Sequence, residues 1–497
     1  MSSTHVELRR GSYRDSVRLM QVSQAVRAAP GVTAGLVAMA TALNIELAEG
    51  MGFTPPPDAT ANDMIVAVAG VDDDAVRAAL ARLDAELAPA QGAAMVTTDG
   101  VAPRTVGSAV RRVGADLVLV STPGRYAFVD AMDALDAGAS VLVFSDNVPV
   151  AEEVRLKEIA AARGLLVMGP DCGTAVVGGV ALGFANVVRP GPVGLIAASG
   201  TGAQHVMSLL DRAGVGVSHC LGVGGRDLAA AVAGRSTLAA LDALDADEST
   251  ELIVVVSKPP APEIAARVRT HAARLATPVV FALLGEGQPD LTQAVEQVLR
   301  RLGQPVPAEW PAWRPSQVAP KGSGALRGLF SGGTLCDEAM VIVSAALGAP
   351  VRSNIPLRPK WALPPGLVAD GHAMIDFGDD ELTQGRPHPM IDGTVRLERL
   401  AREAADPACG VVLLDVVLGH AAHPDPAADL APAIAAALDR GAGRDLAVVV
   451  SLTGTAGDPQ GLQRQAGALR GVGASVFLSN AEAARHAVGH VTAGVEP

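Results

Sequence analysis

The feature that most constrains the fold is a repeated alternation between short apolar runs and longer Ala-rich stretches, which continues from residue 101 to near the end of the chain. The runs are almost continuously apolar, which is typical of parallel strands that helices cover on both faces. They lie at residues 117–120, 140–144, 165–168, 252–257, 278–284, 411–417 and 446–451. The sequence therefore predicts an α/β protein built from parallel sheets.

Changes in this pattern predict the domain boundaries. A length of 497 residues is enough for three or four domains, each with its own core. Residues 1–95 mix strand and helix patterns and are predicted to form a small α+β domain. Three α/β units follow at 96–188, 189–305 and 325–497, and a Pro- and Trp-rich stretch at 306–324 is predicted to be a linker.

In two places a buried strand runs into a Gly/Ser/Thr turn and then into a helix. The first turn is Ser199, Gly200 and Thr201, and the second turn is Ser331, Gly332, Gly333 and Thr334. A helix that starts in such a turn directs unpaired N–H groups and the positive end of its dipole at one point. Each turn is therefore a candidate site for a phosphate or a carboxylate, and two such turns suggest chemistry on a shared anion.

Composition excludes several classes of partner. The formal net charge is −13 and aromatic residues make up 3% of the chain, which together argue against binding to nucleic acid. No apolar run approaches the ~20 residues needed to span a bilayer, and the first residues lack a signal-peptide core. A cytoplasmic location without a membrane partner is expected.

Ligands of parallel α/β sheets gather where the strands end, and Asn147, Asp171 and Cys172 lie at such ends. The four cysteines are far apart in sequence and include no CxxC pair, so neither a zinc site nor a disulfide framework is expected. Cys172 fits either a site residue or a small packed core residue. The glycine fingerprint of a dinucleotide domain is absent, which argues against a nicotinamide cofactor.

Several segments carry a resemblance to known families. Residues 131–139, 168–173, 191–201 and 222–225 resemble the α subunit of succinyl-CoA synthetase, and the unit at 325–497 resembles the carboxyl-terminal domain of its β subunit. Residues 10–13, 169–174, 330–339 and 385–392 resemble the FdrA family, and this similarity covers the whole chain. The resemblance implies a Rossmann-like CoA-binding-type domain followed by two flavodoxin-like CoA-ligase domains.

The resemblance also implies a site. In the synthetase family two helix N-termini face each other and hold a phosphoryl group that a mobile histidine carries. The first turn matches one of these helix starts, and the resemblance places the other in the β-like unit, at either the second turn or the loop after the strand that contains Asp415. The loop that would hold the histidine corresponds to residues 284–290, which contain none. His420 and His423 form a similar-looking loop, but it lies in the third unit. No ATP-grasp segment is recognisable, so this chain alone is not expected to use ATP.

Three functions are compatible with this resemblance. The first is transfer of a carbamoyl or acyl group from its phosphate to a small amide or amine, as in oxamate carbamoyl transfer in purine-derived ureide catabolism, alongside other subunits. The second is an acyl-CoA synthetase subunit that uses CoA, and the third is a non-catalytic scaffold subunit. The resemblance leaves CoA and Mg²⁺ open as cofactors and makes neither certain; a homo- or hetero-oligomer is expected.

Further candidate residues lie between 376 and 392. His388, between Pro387 and Pro389, is a candidate general acid or base, and Arg386 a candidate bidentate phosphate ligand. A rigid surface turn explains Pro-His-Pro equally well. The carboxylates at Asp376, Asp379, Asp380 and Glu381 fit either a Mg²⁺ or amine site or a solvated acidic loop.

Overall fold

A computed structural model describes residues 3–12, 14, 16–60, 62–88, 103–316, 324–383, 387–440 and 446–491. The chain divides into two compact units. The first is Met1–Ala102 with Gln384–Pro387, and the second is Pro103–Thr383 with His388–Pro497. No helix within the described ranges is both long and apolar enough to cross a membrane.

The first unit is a small antiparallel α+β domain, as predicted. Its elements are β1 (Ser3–Arg9), α1 (Ser16–Arg27), β2 (Val32–Met39), α2 (Ala42–Gly50), β3 (Met64–Gly70) and α3 (Asp73–Leu87). The sheet order is β1-β3-β2. The strand β3 lies in the middle because nearly all of its residues are apolar, and its buried Val66 and Val68 pack against Val22 and Leu83 of the helices.

The second unit begins with a parallel three-stranded sheet. Its elements are α4 (Val106–Val113), β4 (Leu117–Val120), α5 (Gly124–Asp136), β5 (Ser140–Val143), α6 (Val150–Ala162) and β6 (Val167–Met168). The sheet order is β4-β5-β6. A buried ion-pair cluster connects α6 to residue 227 in the six-stranded sheet's first long loop, because Lys157 Nζ lies 2.8 Å from both Glu153 Oε1 and Asp227 Oδ1.

A six-stranded sheet follows, in the order β12-β11-β9-β10-β7-β8. Its elements are β7 (Thr174–Val177), β8 (Val180–Gly183), β9 (Pro190–Ala198), α7 (Gly200–Arg212), β10 (Val217–Gly222), α8 (Arg235–Asp245), β11 (Leu252–Ser257), α9 (Pro262–Ala272), β12 (Val279–Leu283) and α10 (Leu291–Arg301). Residues 174–183 were predicted to belong to the preceding unit. They instead form a hairpin whose strand β7 pairs with β10.

The last sheet has seven strands in the order β13-β19-β18-β17-β14-β16-β15. Its elements are β13 (Ala312–Trp313), β14 (Ala325–Phe330), α11 (Gly333–Leu347), β15 (Arg352–Ser353), a 3₁₀ turn (Pro359–Trp361), β16 (Ala373–Asp376), α12 (Asp380–Thr383), α13 (Thr394–Ala405), β17 (Cys409–Val417), α14 (Pro426–Arg440), β18 (Ala447–Thr453), α15 (Leu462–Gly471), β19 (Ser475–Phe477) and α16 (Asn480–Val491).

These sheets confirm the predicted α/β class. The stretch predicted as a linker is not wholly irregular, because Ala312 and Trp313 pair with Phe477 and Val476 and extend the last sheet by an edge strand. The adjacent Trp310 is 4% exposed and anchors this stretch.

Candidate functional site

The register of the two larger sheets determines which residues meet where the strands end. In the six-stranded sheet, Ser257 of β11 pairs with Ala198 of β9. The next residues along the two strands, Lys258 and Ser199, therefore leave the sheet side by side. In the seven-stranded sheet, Phe330 of β14 pairs with Asp376 of β16. The second turn thus starts beside Asp376.

The second turn is held by a buried carboxylate. Asp415 at the end of β17 accepts hydrogen bonds from Ser331 N at 2.7 Å, Ser331 Oγ at 2.9 Å and Gly332 N at 2.8 Å. Its Oδ1 also lies 3.2 Å from Arg396. The sequence predicted that Ser331 and Gly332 offer free N–H groups to a ligand, and this is wrong because Asp415 already occupies them.

The next N–H groups of the same helix are free. Gly332 is the N-cap of α11 and supplies no side-chain cap. Across the described residues, no acceptor is recorded for the N–H groups of Gly333 and Thr334. The unpaired N–H groups at the start of α11 therefore begin at Gly333, directly after the two N–H groups that Asp415 binds.

The two helix starts are in direct contact. Ser199 caps its own helix by accepting a hydrogen bond from Gly202 N at 2.9 Å, and its hydroxyl donates to Thr334 Oγ1 at 2.6 Å. This approach requires glycine on both sides. A Cβ on Gly332 would lie 2.6 Å from Thr201 Oγ1, and a Cβ on Gly202 would lie 2.9 Å from Thr334 Cγ2. The first and second turns thus form one location rather than two.

Lys258 lies at this location, and the sequence analysis had not selected it. Its ammonium group is almost fully enclosed by protein, although part of the residue reaches solvent. A Cβ on Gly333 would lie 2.6 Å from both Lys258 Nζ and Asp376 Oδ2. None of the described residues forms a hydrogen bond or an ion pair with Lys258.

Carboxylates surround this ammonium group. Burial alone would lower the pKa of Lys258, but Asp376, Asp337 and Asp171 outweigh it and raise that pKa. Burial raises the pKa of Asp337 to about 7 and that of Asp376 to about 6, against the opposing charge of Lys258. Loss of surrounding water, followed by the charge of Asp380, raises the pKa of Asp171 to about 7, although the residue keeps an exposed surface.

His388 borders the same group of residues. A Cβ on Gly378 would lie 2.8 Å from His388 Nε2 and 3.2 Å from Asp376 Oδ1. His388 Nδ1 accepts a hydrogen bond from Met390 N at 3.2 Å, so the neutral ring carries its proton on Nε2. Burial, with a smaller effect of Arg396, lowers the pKa of His388 to about 4. At neutral pH this imidazole is a hydrogen-bond donor through Nε2.

The remaining predicted residues have varied positions. Asp171 and Asn147 lie in exposed loops after their strands, with φ angles of 55° and 52°. The Cys172 thiol is buried and contacts Thr174 O at 3.5 Å, and burial raises its pKa to about 12, so it is an unreactive packed residue. Arg386 lies outside the described residues.

His420 and His423, the histidines of the similar-looking loop, contact residues outside the two turns. His423 Nδ1 accepts a hydrogen bond from Asp425 N at 3.0 Å, and its Nε2 lies 3.3 Å from Asp429 of α14. His420 is exposed, and its backbone N–H donates to Ala185 O at 2.8 Å.

The loop at residues 284–290, which lacks the histidine, borders a separate open cavity of about 540 Å³. Glu338 and Val341 of α11 line the cavity together with Asp290 and Arg485. Glu338 is satisfied internally, since it accepts from Leu291 N at 2.6 Å and from Asn480 Nδ2 at 2.7 Å. Among the described residues, including the acidic residues from Asp376 to Glu381, no group of three or more His, Cys, Asp or Glu side chains is arranged to hold a metal ion.

Comparisons with known proteins agree with this architecture. A family model described as CoA-ligase matches residues 329–489, and one described as AllF, heavy metal-associated domain, matches residues 1–101. The protein YahF of Escherichia coli is 35% identical in an alignment 510 residues long, which covers 96% of each chain. Succinate–CoA ligase [ADP-forming] subunit alpha 2 of Archaeoglobus fulgidus is 28% identical over 158 residues, covering 31% of this chain and 54% of that protein.

Among solved structures, the dinucleotide-forming acetyl-coenzyme A synthetase 1 of Candidatus Korarchaeum cryptofilum, in complex with phosphate and ADP, covers 77% of this chain and 85% of its own. The identity is 16% and the TM-score 0.28. The family assignment therefore rests on the sequence matches.

The description of the amino-terminal family model implies a heavy metal, and the residues present do not fit one. Residues 1–101 contain no cysteine and a single histidine, His5. That histidine lies 3.2 Å from Glu7 Oε2 and has no soft ligand beside it in sequence. No step of the chemistry is assigned to a metal in this unit.

Proposed function

Because the chain belongs to the FdrA family of CoA-ligase-like proteins, we propose that it acts on an acyl phosphate, as a subunit of an acyl-transferring enzyme. The observation that carries this proposal is the contact between the starts of α7 and α11, where Ser199 Oγ lies 2.6 Å from Thr334 Oγ1. Two helix dipoles and a lysine converge there, which suits a phosphate group.

In this proposal the protein positions the acyl phosphate and stabilises the departing phosphate. The acceptor attacks the acyl carbon, the bond between that carbon and the bridging oxygen breaks, and inorganic phosphate leaves with the electron pair. The acceptor's proton passes to phosphate or solvent. Fixed donors around the phosphate lower the barrier because they need no rearrangement as charge develops on the leaving group.

A CoA thiol is the acceptor that the family matches favour. The CoA-ligase model covers residues 329–489, and the α subunit of a succinate–CoA ligase aligns over 158 residues. In this form the products are an acyl-CoA and phosphate, and CoA is a substrate of the complex.

Carbamoyl phosphate with a small amide or amine acceptor is the second candidate, and the local charges favour it. Asp376 lies at the phosphate location with Oδ1 and Oδ2 turned toward Gly378 and Gly333. A carboxylate there can accept hydrogen bonds from a carbamoyl NH₂ group. The missing histidine in residues 284–290 suits direct transfer, without a phosphorylated protein intermediate.

The test is release of inorganic phosphate from acetyl phosphate and from carbamoyl phosphate, with CoA or with candidate amides and amines as acceptors. The chain is assayed alone and with the products of neighbouring genes. CoA-dependent release with formation of an acyl-CoA supports the thiol acceptor, and amine-dependent release from carbamoyl phosphate supports the carbamoyl form. If no mixture containing the chain releases phosphate faster than the partners without it, the chain is a scaffold and the proposal is wrong.

A further inference from the structure

We infer that Lys258, together with the N–H groups of Gly333 and Thr334, forms the oxyanion-binding site that holds the phosphate group. This inference rests on the proposed function for the identity of the acyl phosphate, but it can be tested with simple anions. It adds a lysine that directly follows β11 to the two helix starts.

The ammonium group of Lys258 has no partner among the described residues. Protein surrounds Lys258 Nζ on most sides, part of the residue reaches solvent, and no described residue forms a hydrogen bond or ion pair with it. A charge that is largely removed from water without a hydrogen-bond partner is costly, and the usual solutions are a counter-ion or a ligand. The surrounding carboxylates keep Lys258 protonated, yet none of them approaches closely enough to form a recorded ion pair.

The ammonium group of Lys258 lies close to the start of α11. A Cβ on Gly333 would lie 2.6 Å from Lys258 Nζ and 3.1 Å from its Cε. The lysine therefore reaches the first turn of α11, a helix of 15 residues, on the side where glycine leaves the backbone open. Its charge therefore lies beside the first turn of α11, where the N–H groups of Gly333 and Thr334 have no acceptor among the described residues.

Asp415 limits which N–H groups of the second turn can bind a ligand. This carboxylate takes the N–H groups of Ser331 and Gly332 at 2.7 and 2.8 Å, so it fixes the turn and leaves only the later N–H groups for a ligand. One ammonium group and two backbone N–H groups suit a tetrahedral oxyanion with oxygens on several sides. The ligand class is therefore a phosphate, free or as the phosphate end of an acyl phosphate.

The experiment measures binding of sulfate and of inorganic phosphate to the full-length protein by titration calorimetry. Sulfate is included because its charge does not change between pH 6 and 8. We expect Lys258→Met to weaken sulfate binding about 10- to 100-fold, the range for a hydrogen bond to a charged group. Lys258→Arg should recover part of the loss, and Lys360→Met, at an exposed lysine of the same unit, should bind like the wild type.

A second variant, Gly333→Ala, tests the same site without replacing Lys258. It puts a methyl group 2.6 Å from Lys258 Nζ, so it should also weaken sulfate binding. Thermal unfolding of each variant shows that it is folded. Wild-type affinity in both Lys258→Met and Gly333→Ala overturns the inference, as does a wild-type protein that binds neither sulfate nor phosphate.

The inference and the proposed function fail separately. If the protein turns over an acyl phosphate and Lys258→Met has an unchanged KM, the inference is wrong and the function stands. If sulfate binding depends on Lys258 but no acyl phosphate is consumed by any mixture, the anion site stands and the proposed function is wrong.

Discussion

The carboxylate of Asp415 holds the second turn in place, and its removal is the perturbation whose size follows most directly from the structure. Asp415 is 0% exposed, accepts three hydrogen bonds from Ser331 and Gly332, and faces Arg396, which is itself 5% exposed. Asp415→Asn keeps the volume of the side chain. It removes the charge opposite Arg396 and turns an NH₂ group toward backbone N–H donors.

The expected loss of stability can be worked from these contacts. Removing one partner of a buried ion pair costs about 3–5 kcal/mol because the other charge stays buried without compensation. Part of this is offset, since burial raises the pKa of Asp415 and thus already penalises its charged form. The free energy of unfolding should therefore fall by about 3 kcal/mol, which corresponds to a Tm lower by roughly 4 °C for a unit as large as the second one.

Differential scanning calorimetry of the full chain measures this change in the transition of the second unit. Asp439→Asn, at an exposed aspartate in α14 of the same unit, is the matched control and should unfold with the wild type. A Tm for Asp415→Asn within about 2 °C of the control would show that the carboxylate does not fix the second turn.

Three further predictions concern the same location. Gly332→Ala places a methyl group 2.6 Å from Thr201 Oγ1 and should lower the free energy of unfolding by about 1–3 kcal/mol. The control Gly471→Ala, whose methyl group would meet nothing within 4 Å, should not lower it. Equal stability of the two variants in denaturant titrations would contradict the close contact. The pKa of Asp337 is about 7, so its ionisation should weaken sulfate binding as pH rises from 6 to 8. Asp337→Asn should bind sulfate more tightly at pH 8, and its sulfate affinity should depend less on pH. If calorimetry finds the same change of sulfate affinity with pH in Asp337→Asn and the wild type, this prediction is refuted. Because the pKa of His388 is lowered to about 4, the unfolded chain takes up a proton at this histidine at higher pH than the folded chain does, so stability is lost as pH falls from 6.5 toward 4. His388→Gln should lose less stability over that range. If the free energies of unfolding of the two proteins change in parallel with pH, His388 is not a buried neutral imidazole.

Local sequence patterns were sufficient for the α/β class and for the two helix starts. Nearly continuous apolar runs such as 411–417 have few alternatives to a buried parallel strand, and Gly/Ser/Thr turns directly after such runs mark helix N-termini. The hairpin at 174–183 could also have been found. Its Gly178-Gly179 pair between short apolar segments is a two-residue hairpin signal, but each segment is only four residues long and gives a weak strand pattern.

The chemistry of the site depended on contacts between distant residues, which local patterns do not contain. Asp415 lies 84 residues from Ser331 in sequence, and only the pairing of β17 with β14 brings its carboxylate to the turn. In the sequence, Lys258 is recognisable only as the residue that directly follows the apolar run at 252–257. The signal that would have selected it is the adjacency of that strand to β9, since neighbouring parallel strands deliver their next residues to the same place.

The central claim is that the starts of α7 and α11 hold the phosphate of an acyl phosphate. A crystal structure of the full chain soaked with inorganic phosphate, and separately with carbamoyl phosphate, tests it most directly. The account predicts a phosphate group within hydrogen-bonding distance of Gly333 N, Thr334 N and Lys258 Nζ, with no covalent phosphate on any histidine. Phosphate bound only elsewhere, for example in the cavity beside residues 284–290, or a phosphorylated histidine, would contradict it.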